Sequence, residues 1–299
     1  MKRLILAALI GCSGAEPNMT PDAATVPGED RLRVAFTSTR LGPNYQLFVV
    51  DDDGTHIEQV TSSTGSSLSP SWSPDGAKIA FASNRSGRYG IYTLDLATRD
   101  VALVSLELLT AANPVISPDG NSIAFQGRVS GQVGFDIYVV ASSGGAARQL
   151  TEAPRNDSGP AWSPDGRTLY FVSDRSTEGV FEVYAMDPAG EDERAVTTNQ
   201  HVIGRPTALP DGTSIAYATG DARTAIVRFV LATQEIVVLT NKDDSEPAFS
   251  PDGKLLVHAS ARSSASDIMI LDLTSGASRT LTDDAAIDGS PAVTLLKGG

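Results

Sequence analysis

Apolar residues fall in short paired runs along nearly the whole chain. The first run of each pair is Ile79-Ala80-Phe81, Ile123-Ala124-Phe125, Leu169-Tyr170-Phe171, Ile215-Ala216-Tyr217 or Leu256-Val257-His258. The second is Ile91–Leu94, Ile137–Val140, Val183–Met186, Ile226–Val230 or Ile268–Leu271. These runs are too short and too β-branched for helices, and nearly continuous rather than alternating, as strands covered on both faces of their sheet are. Before each pair stands a Pro-led segment, such as Pro70-Ser71-Trp72-Ser73, Pro114-Val115-Ile116-Ser117 or Pro160-Ala161-Trp162-Ser163. After it comes a more polar segment ending in Ser105, Thr151, Thr197, Thr240 or Thr282. Four strands, A to D, therefore recur in one order, with the mixed D strand at an outer edge.

The punctuation is as regular as the strands. Ser-Pro-Asp-Gly stands at 73–76, 117–120, 163–166 and 250–253, with Leu209-Pro210-Asp211-Gly212 as a variant, so that Asp75, Asp119, Asp165, Asp211 and Asp252 are 44, 46, 46 and 41 residues apart. Ser at the first position, Pro at the second and Gly at the fourth suit a type I turn. A repeat of this length marks a propeller or solenoid. Residues 32–61 supply strands B, C and D without an A, whereas Pro291-Ala292-Val293-Thr294 supplies an A without a B, and Pro291 follows Pro247 by 44 residues, in register. The sequence thus predicts an all-β, six-bladed β-propeller with four antiparallel strands per blade, closed by pairing of the C-terminal strand with the N-terminal blade, which removes the open sheet edge.

Composition narrows the class further. The chain has 299 residues, a formal charge of −13 and 41% hydrophobic residues. The acidic balance argues against nucleic-acid binding and against a general affinity for anionic membranes. Cys12 is the one cysteine, so neither a disulfide nor a cysteine-based metal cluster is expected. Met1-Lys2-Arg3, the apolar run Leu4 to Ile10 and Gly11-Cys12 read as a secretory signal too short to span a bilayer. Leu9-Ile10-Gly11-Cys12 resembles a bacterial lipobox, so residues 1–11 are expected to be a signal peptide and Cys12 the lipidated residue. Loss of Lys2 and Arg3 would take the charge to −15. Residues 12–30, with Pro17, Pro21 and Pro27, read as a flexible tether reaching roughly 20–25 Å, ahead of a propeller over 31–299.

Chemistry is sparse. His56, His201 and His258 have neither metal-ligand nor triad spacing, and His258 occupies the aromatic position of strand B, which favours a packed core histidine. No Gly-x-Ser-x-Gly elbow or phosphate-binding glycine loop occurs. The repeated Asp is explained by its turn. Strand B is followed by Ser38-Thr39-Arg40, Ser83-Asn84-Arg85, Ser173-Asp174-Arg175 and Ser260-Ala261-Arg262, with Arg128 one place off. In a propeller the B–C and D–A loops share one face. Arg40, Arg85, Arg128, Arg175 and Arg262 are thus candidate partner- or ligand-binding residues in a basic inner ring. An acidic outer rim of Glu152, Asp157, Asp243, Asp244, Glu246, Asp283, Asp284 and Asp288 would surround it, suiting a carboxylate-bearing peptide or glycan. The competing reading is that each arginine braces its own blade, which recurrence from blade to blade favours.

The run from Trp72-Ser73-Pro74-Asp75-Gly76 to Ser83-Asn84-Arg85, with Trp162-Ser163-Pro164-Asp165-Gly166 and Ser173-Asp174-Arg175, resembles the TolB-type β-propeller family, over about residues 31–296. That resemblance implies a propeller fold and a periplasmic adaptor role, since a TolB propeller binds a peptidoglycan-associated lipoprotein. Upstream of the repeats a tether stands where the family carries an α/β domain. The resulting expectation is a non-catalytic binding scaffold in the bacterial envelope. It would be a monomer on a lipid anchor, facing the periplasm from the outer membrane because no Asp follows Cys12, with no cofactor and no metal, and with an envelope protein, peptide or glycan as partner. The alternative is a propeller enzyme, a polysaccharide lyase or hydrolase or a lactonase, with a metal at the channel mouth.

Overall fold

The computed structural model describes residues 30–220, 224–241, 243–262 and 265–297, with no side chain described for Arg262. The expected signal peptide, Cys12 and all of the tether but Asp30 lie outside the described residues. The architecture is a ring of six four-stranded antiparallel sheets, without a helix among the described residues. Blade 1 is built from Asp288–Leu296, Arg31–Ser38, Gln46–Asp51 and Glu58–Gln59, in the order A to D. Its A and B strands come from opposite ends of the chain, paired from Arg31 opposite Leu296 to Ser38 opposite Asp288. The inner strands of blades 2 to 6 are Ser67–Trp72, Thr110–Ile116, Asp157–Trp162, Val202–Ala208 and Asp244–Phe249.

The predicted B and C runs are the central strands, and each is buried on both faces because the core is divided among the blade interfaces. Ala80, Ala82 and Ile91 of blade 2 pack against Ile123 and Phe125 of blade 3. Ala124 and Ile137 of blade 3 pack against Leu169 and Phe171 of blade 4, and Val34 and Phe36 close the ring against Val257 and Ile268 of blade 6. The D-strand threonines have a common purpose. Thr61, Thr151, Thr197, Thr240 and Thr282 each accept, at Oγ1, the backbone N–H of Leu47, Ile137, Val183, Ile226 or Ile268 at 2.9–3.2 Å, satisfying a strand-C donor that the short outer strand leaves unpaired.

The turns form as the sequence predicts. Gly76 N–H donates to Ser73 O at 2.9 Å, and Gly76 has φ +70°. Ser73 Oγ donates to Asp75 Oδ1 at 2.5 Å, and the same oxygen accepts the N–H of Ala77 at 3.0 Å. The Ser73 hydrogen bond, with that from the Ala77 amide, holds Asp75 below the usual carboxylate range, and Asp119, Asp165 and Asp252 are held low first by the same kind of serine. These carboxylates serve their own turns.

The inner strands begin about three residues earlier than their prolines suggest. Each reaches its Pro through a β-bulge, with a left-handed residue at Ser69, Asn113, Gly159, Glu246 or Ser290, and at Gly204 in blade 5. The bulge brings the residue before the proline next to neighbouring inner strands, where Ser69 meets Asn113 and Glu246 meets Ser290.

Candidate functional site

On the face of the B–C and D–A loops, the Ser-x-Arg arginines fold back over their own blades. Arg175 Nε donates to Ser173 Oγ at 3.0 Å, and its guanidinium lies 5.2 Å from the Phe171 ring centroid and 4.8 Å from that of Tyr184. Its Nη2 reaches Asp157 Oδ2, the first residue of the same blade's inner strand, at 2.8 Å, and its Nη1 bonds Glu193. Arg40 repeats the motif on Ser38, over Phe36 and Phe48, with Asp288 at 2.8 Å. Arg85 sits over Phe81 and Tyr92 but meets only Ser83 and Ser67 Oγ, so burial lowers its pKa with no carboxylate to offset it.

Arg128 departs from the pattern. Gly127 occupies the serine position, and the guanidinium turns to Val133 O at 3.4 Å and the Phe135 ring. Cation, paired rings and serine thus form a stack in blades 1, 2 and 4. Arg262 ends its strand B, and its side chain lies outside the described residues.

The acidic rim is reduced. Asp157, Asp244 and Asp288 are not on it: they open inner strands and are buried at 0%, 3% and 1% exposure. Burial raises the pKa of Asp157 and Asp288, against the hydrogen bonds and arginines that lower it. Asp136, which opens strand C of blade 3, is pushed to about 6 by burial and then by the Asp157 charge, despite hydrogen bonds from Gln132 and Thr151. Glu246 belongs to the channel. Glu152, Asp283 and Asp284 remain exposed at the rim. His258 is buried beside Asp244, its Nδ1 3.6 Å from Oδ1. Among the described residues no group of three or more His, Cys, Asp or Glu is placed to hold a metal ion.

The axis carries a second set of residues that the sequence reading did not single out. Ser69, Asn113, Gly159, Arg205, Glu246 and Ser290 each precede an inner-strand proline, and several are linked across blades. Ser69 Oγ donates to Asn113 Oδ1 at 2.8 Å, and Asn113 Nδ2 to Gln126 Oε1 at 2.8 Å. Gly159 N–H donates to that same Gln126 oxygen at 3.0 Å. Glu246 accepts from Ser290 N at 2.7 Å and Ser290 Oγ at 3.0 Å. Aligning the repeats on their prolines would have found this ring, although its members share no residue type.

Fold and site together define a closed propeller whose repeated arginines and aspartates bond largely within their own blades, leaving loop tips and an axial channel as its accessible features. The chain belongs to the TolB beta propeller domain family, whose profile matches residues 23–247 and 180–294. It is 43% identical over 136 residues to the Tol-Pal system protein TolB of Bordetella pertussis, a match covering 45% of this chain and 30% of that protein. The chain thus aligns with less than a third of that relative's length. TolB from Acinetobacter baumannii superposes with a TM-score of 0.76 at 27% identity, over 87% of this chain and 66% of that one. Hydrazine synthase of Kuenenia stuttgartiensis shares the fold alone, with a TM-score of 0.72 at 17% identity over 94% of this chain and 51% of that one.

Proposed function

We propose that the protein is a non-catalytic binding scaffold of the bacterial cell envelope, with a role related to that of Tol-Pal system proteins. The observation that carries this reading is a group of five exposed apolar side chains at loop tips, set apart from Val101, Leu103, Ile236 and Val238 on outer strands. Leu41, Val129 and Val133 in B–C loops, and Leu109 and Ile287 in D–A loops, all crown one face, and Val133 is 90% exposed. Apolar tips interspersed with charge on a rigid ring suit a protein or peptide partner. In this reading the Ser-x-Arg arginines hold the B–C loops in place, Arg128 lies among the contact residues, and Cys12 carries the lipid that keeps the ring at the outer membrane, facing the periplasm.

A photocrosslinking amino acid at Val133 should yield a discrete adduct in intact cells, whereas one at Ala77, in a turn on the opposite face, should not. Equal labelling from both positions, or none from Val133, would overturn the assignment. A Cys12→Ser variant should move from the membrane to the soluble fraction.

A further inference from the structure

Toward the face of the A–B turns, the inner strands and turn prolines enclose a cavity of about 500 Å³. Its wall is stiff, built from Trp72, Trp162, Phe249 and prolines contributed by every blade, with Ser71, Ser117, Ser163, Thr207 and Thr294 set among them. Arg205 is the one charged residue among the described residues that line it. The guanidinium is part-exposed and has no hydrogen bond or ion pair among the described residues, unlike Arg40 and Arg175 on the other face. Glu246, its electrostatic neighbour, already accepts two hydrogen bonds from Ser290. Burial lowers the Arg205 pKa and Glu246 raises it, the mark of a partly desolvated cation without a partner in contact.

An arginine held in this way presents a planar fork of donors to whatever enters. Gly159 fixes its position: a Cβ there would stand 3.0 Å from Arg205 Cα, so the two inner strands meet backbone to backbone. We propose that the cavity is a binding site for a monocarboxylate with an apolar body, its carboxylate on Arg205 and its hydrocarbon part against Trp72, Trp162 and Phe249. A dianion would meet the Glu246 charge, and a cation would meet Arg205, so the single negative charge is selected. A concave pocket lined by aromatic and proline side chains, with a few hydroxyls and a single charged group, is a usual form of small-ligand site. The site faces away from the partner surface proposed above and does not depend on it.

The chain's two tryptophans both line the cavity, with Trp72 Nε1 donating to Ala292 O and Trp162 Nε1 to Val115 O, so they are fixed reporters. Fluorescence of the full chain should change saturably with hexanoate and not with hexanamide. Acetyl-Ala-Ala-Leu with a free carboxylate, compared with its C-terminal amide, distinguishes a peptide end from a free acid: tighter binding than hexanoate identifies a chain terminus as the occupant, and weaker binding a small acid. Arg205→Gln should weaken hexanoate binding about tenfold or more, with Arg205→Lys intermediate. Equal responses to acid and amide, no saturable response to either acid, or unchanged affinity in Arg205→Gln would overturn the proposal. Should Arg205→Gln fail to fold, the acid–amide contrast in the unaltered protein decides.

Discussion

Arg175 and Asp157 form an ion pair at 2.8 Å inside a single blade, the carboxylate fully buried and the guanidinium clamped over two aromatic rings. The pair joins the end of strand B to the first residue of the inner strand. Arg175→Ala would leave the buried carboxylate without its cation, a loss of about 3 kcal/mol, larger than the roughly 1 kcal/mol expected for Arg85→Ala, which abandons only hydroxyls and a cation–π contact. Urea denaturation measures both. Because the loss comes from a stranded charge, adding Asp157→Asn to Arg175→Ala should recover much of it. A double variant no more stable than Arg175→Ala alone would refute a charge-based brace.

The neighbouring Asp136 makes stability depend on pH. Its folded pKa, about 6, lies above the ordinary 3.8, so the folded state holds the proton longer than the unfolded chain. Stability contributed through this group is present below pH 4 and is lost as pH rises through 6. Asp157 and Asp288 shift in the same direction. Asp136→Asn removes the ionisation while keeping a polar side chain among Gln132, Gln149 and Thr151. Its melting temperature relative to the parent should therefore be higher at pH 7.5 than at pH 4.5, by an amount corresponding to about 1 kcal/mol once solvent screening is allowed for. The same difference at both pH values would exclude Asp136 as the titrating group.

Two glycines separate backbone strain from close approach. Gly159 and Gly204 both have positive φ, +56° and +71°, but a Cβ at 159 would meet Arg205 Cα at 3.0 Å, whereas one at 204 meets nothing within 4 Å. Gly204→Ala should cost about 1 kcal/mol, and Gly159→Ala about 2–3 kcal/mol, by thermal or chemical unfolding. Equal losses would mean that the blades 4 and 5 can part freely at the axis.

The fold could be read from the sequence because its information is local and repeated. The Ile-Ala-Phe runs, the Ser-Pro-Asp-Gly turns and the terminal threonines each encode their strand or turn within a few residues, and the phase of Pro291 gave the closure. The site could be read only in part. Ser-x-Arg is visible, but the partner of Arg40 is Asp288, 248 residues away, and only the ring brings it to the start of its inner strand. Asp157, Asp244 and Asp288 look like loop acids until the bulged extension of strand A buries them. The axial ring was missed for the opposite reason: Ser69, Asn113, Gly159, Arg205, Glu246 and Ser290 have one position but no common chemistry.

Closure concentrates much of the molecule's cooperativity in its last strand. Asp288–Leu296 pairs with Arg31–Ser38 on one side, and Ala292 lies in the cluster joining blades 1 and 2 while its carbonyl takes the Trp72 indole N–H at 3.1 Å. Asp288 also anchors Arg40. Deleting residues 289–299 removes all but the first residue of an inner strand and exposes the edge of Arg31–Ser38 to pairing with another chain. The truncated protein should lose its cooperative melt or melt at least about 15 °C lower, and it should aggregate, as followed by calorimetry and light scattering. Substituting Thr294 by Pro in the full chain is a milder form of the same test. It removes one backbone donor from the strand facing Arg33 and should lower the melting temperature without loss of the ring. A truncated chain melting cooperatively at the parent temperature would show that five complete blades suffice and that the terminal strand is not the clasp.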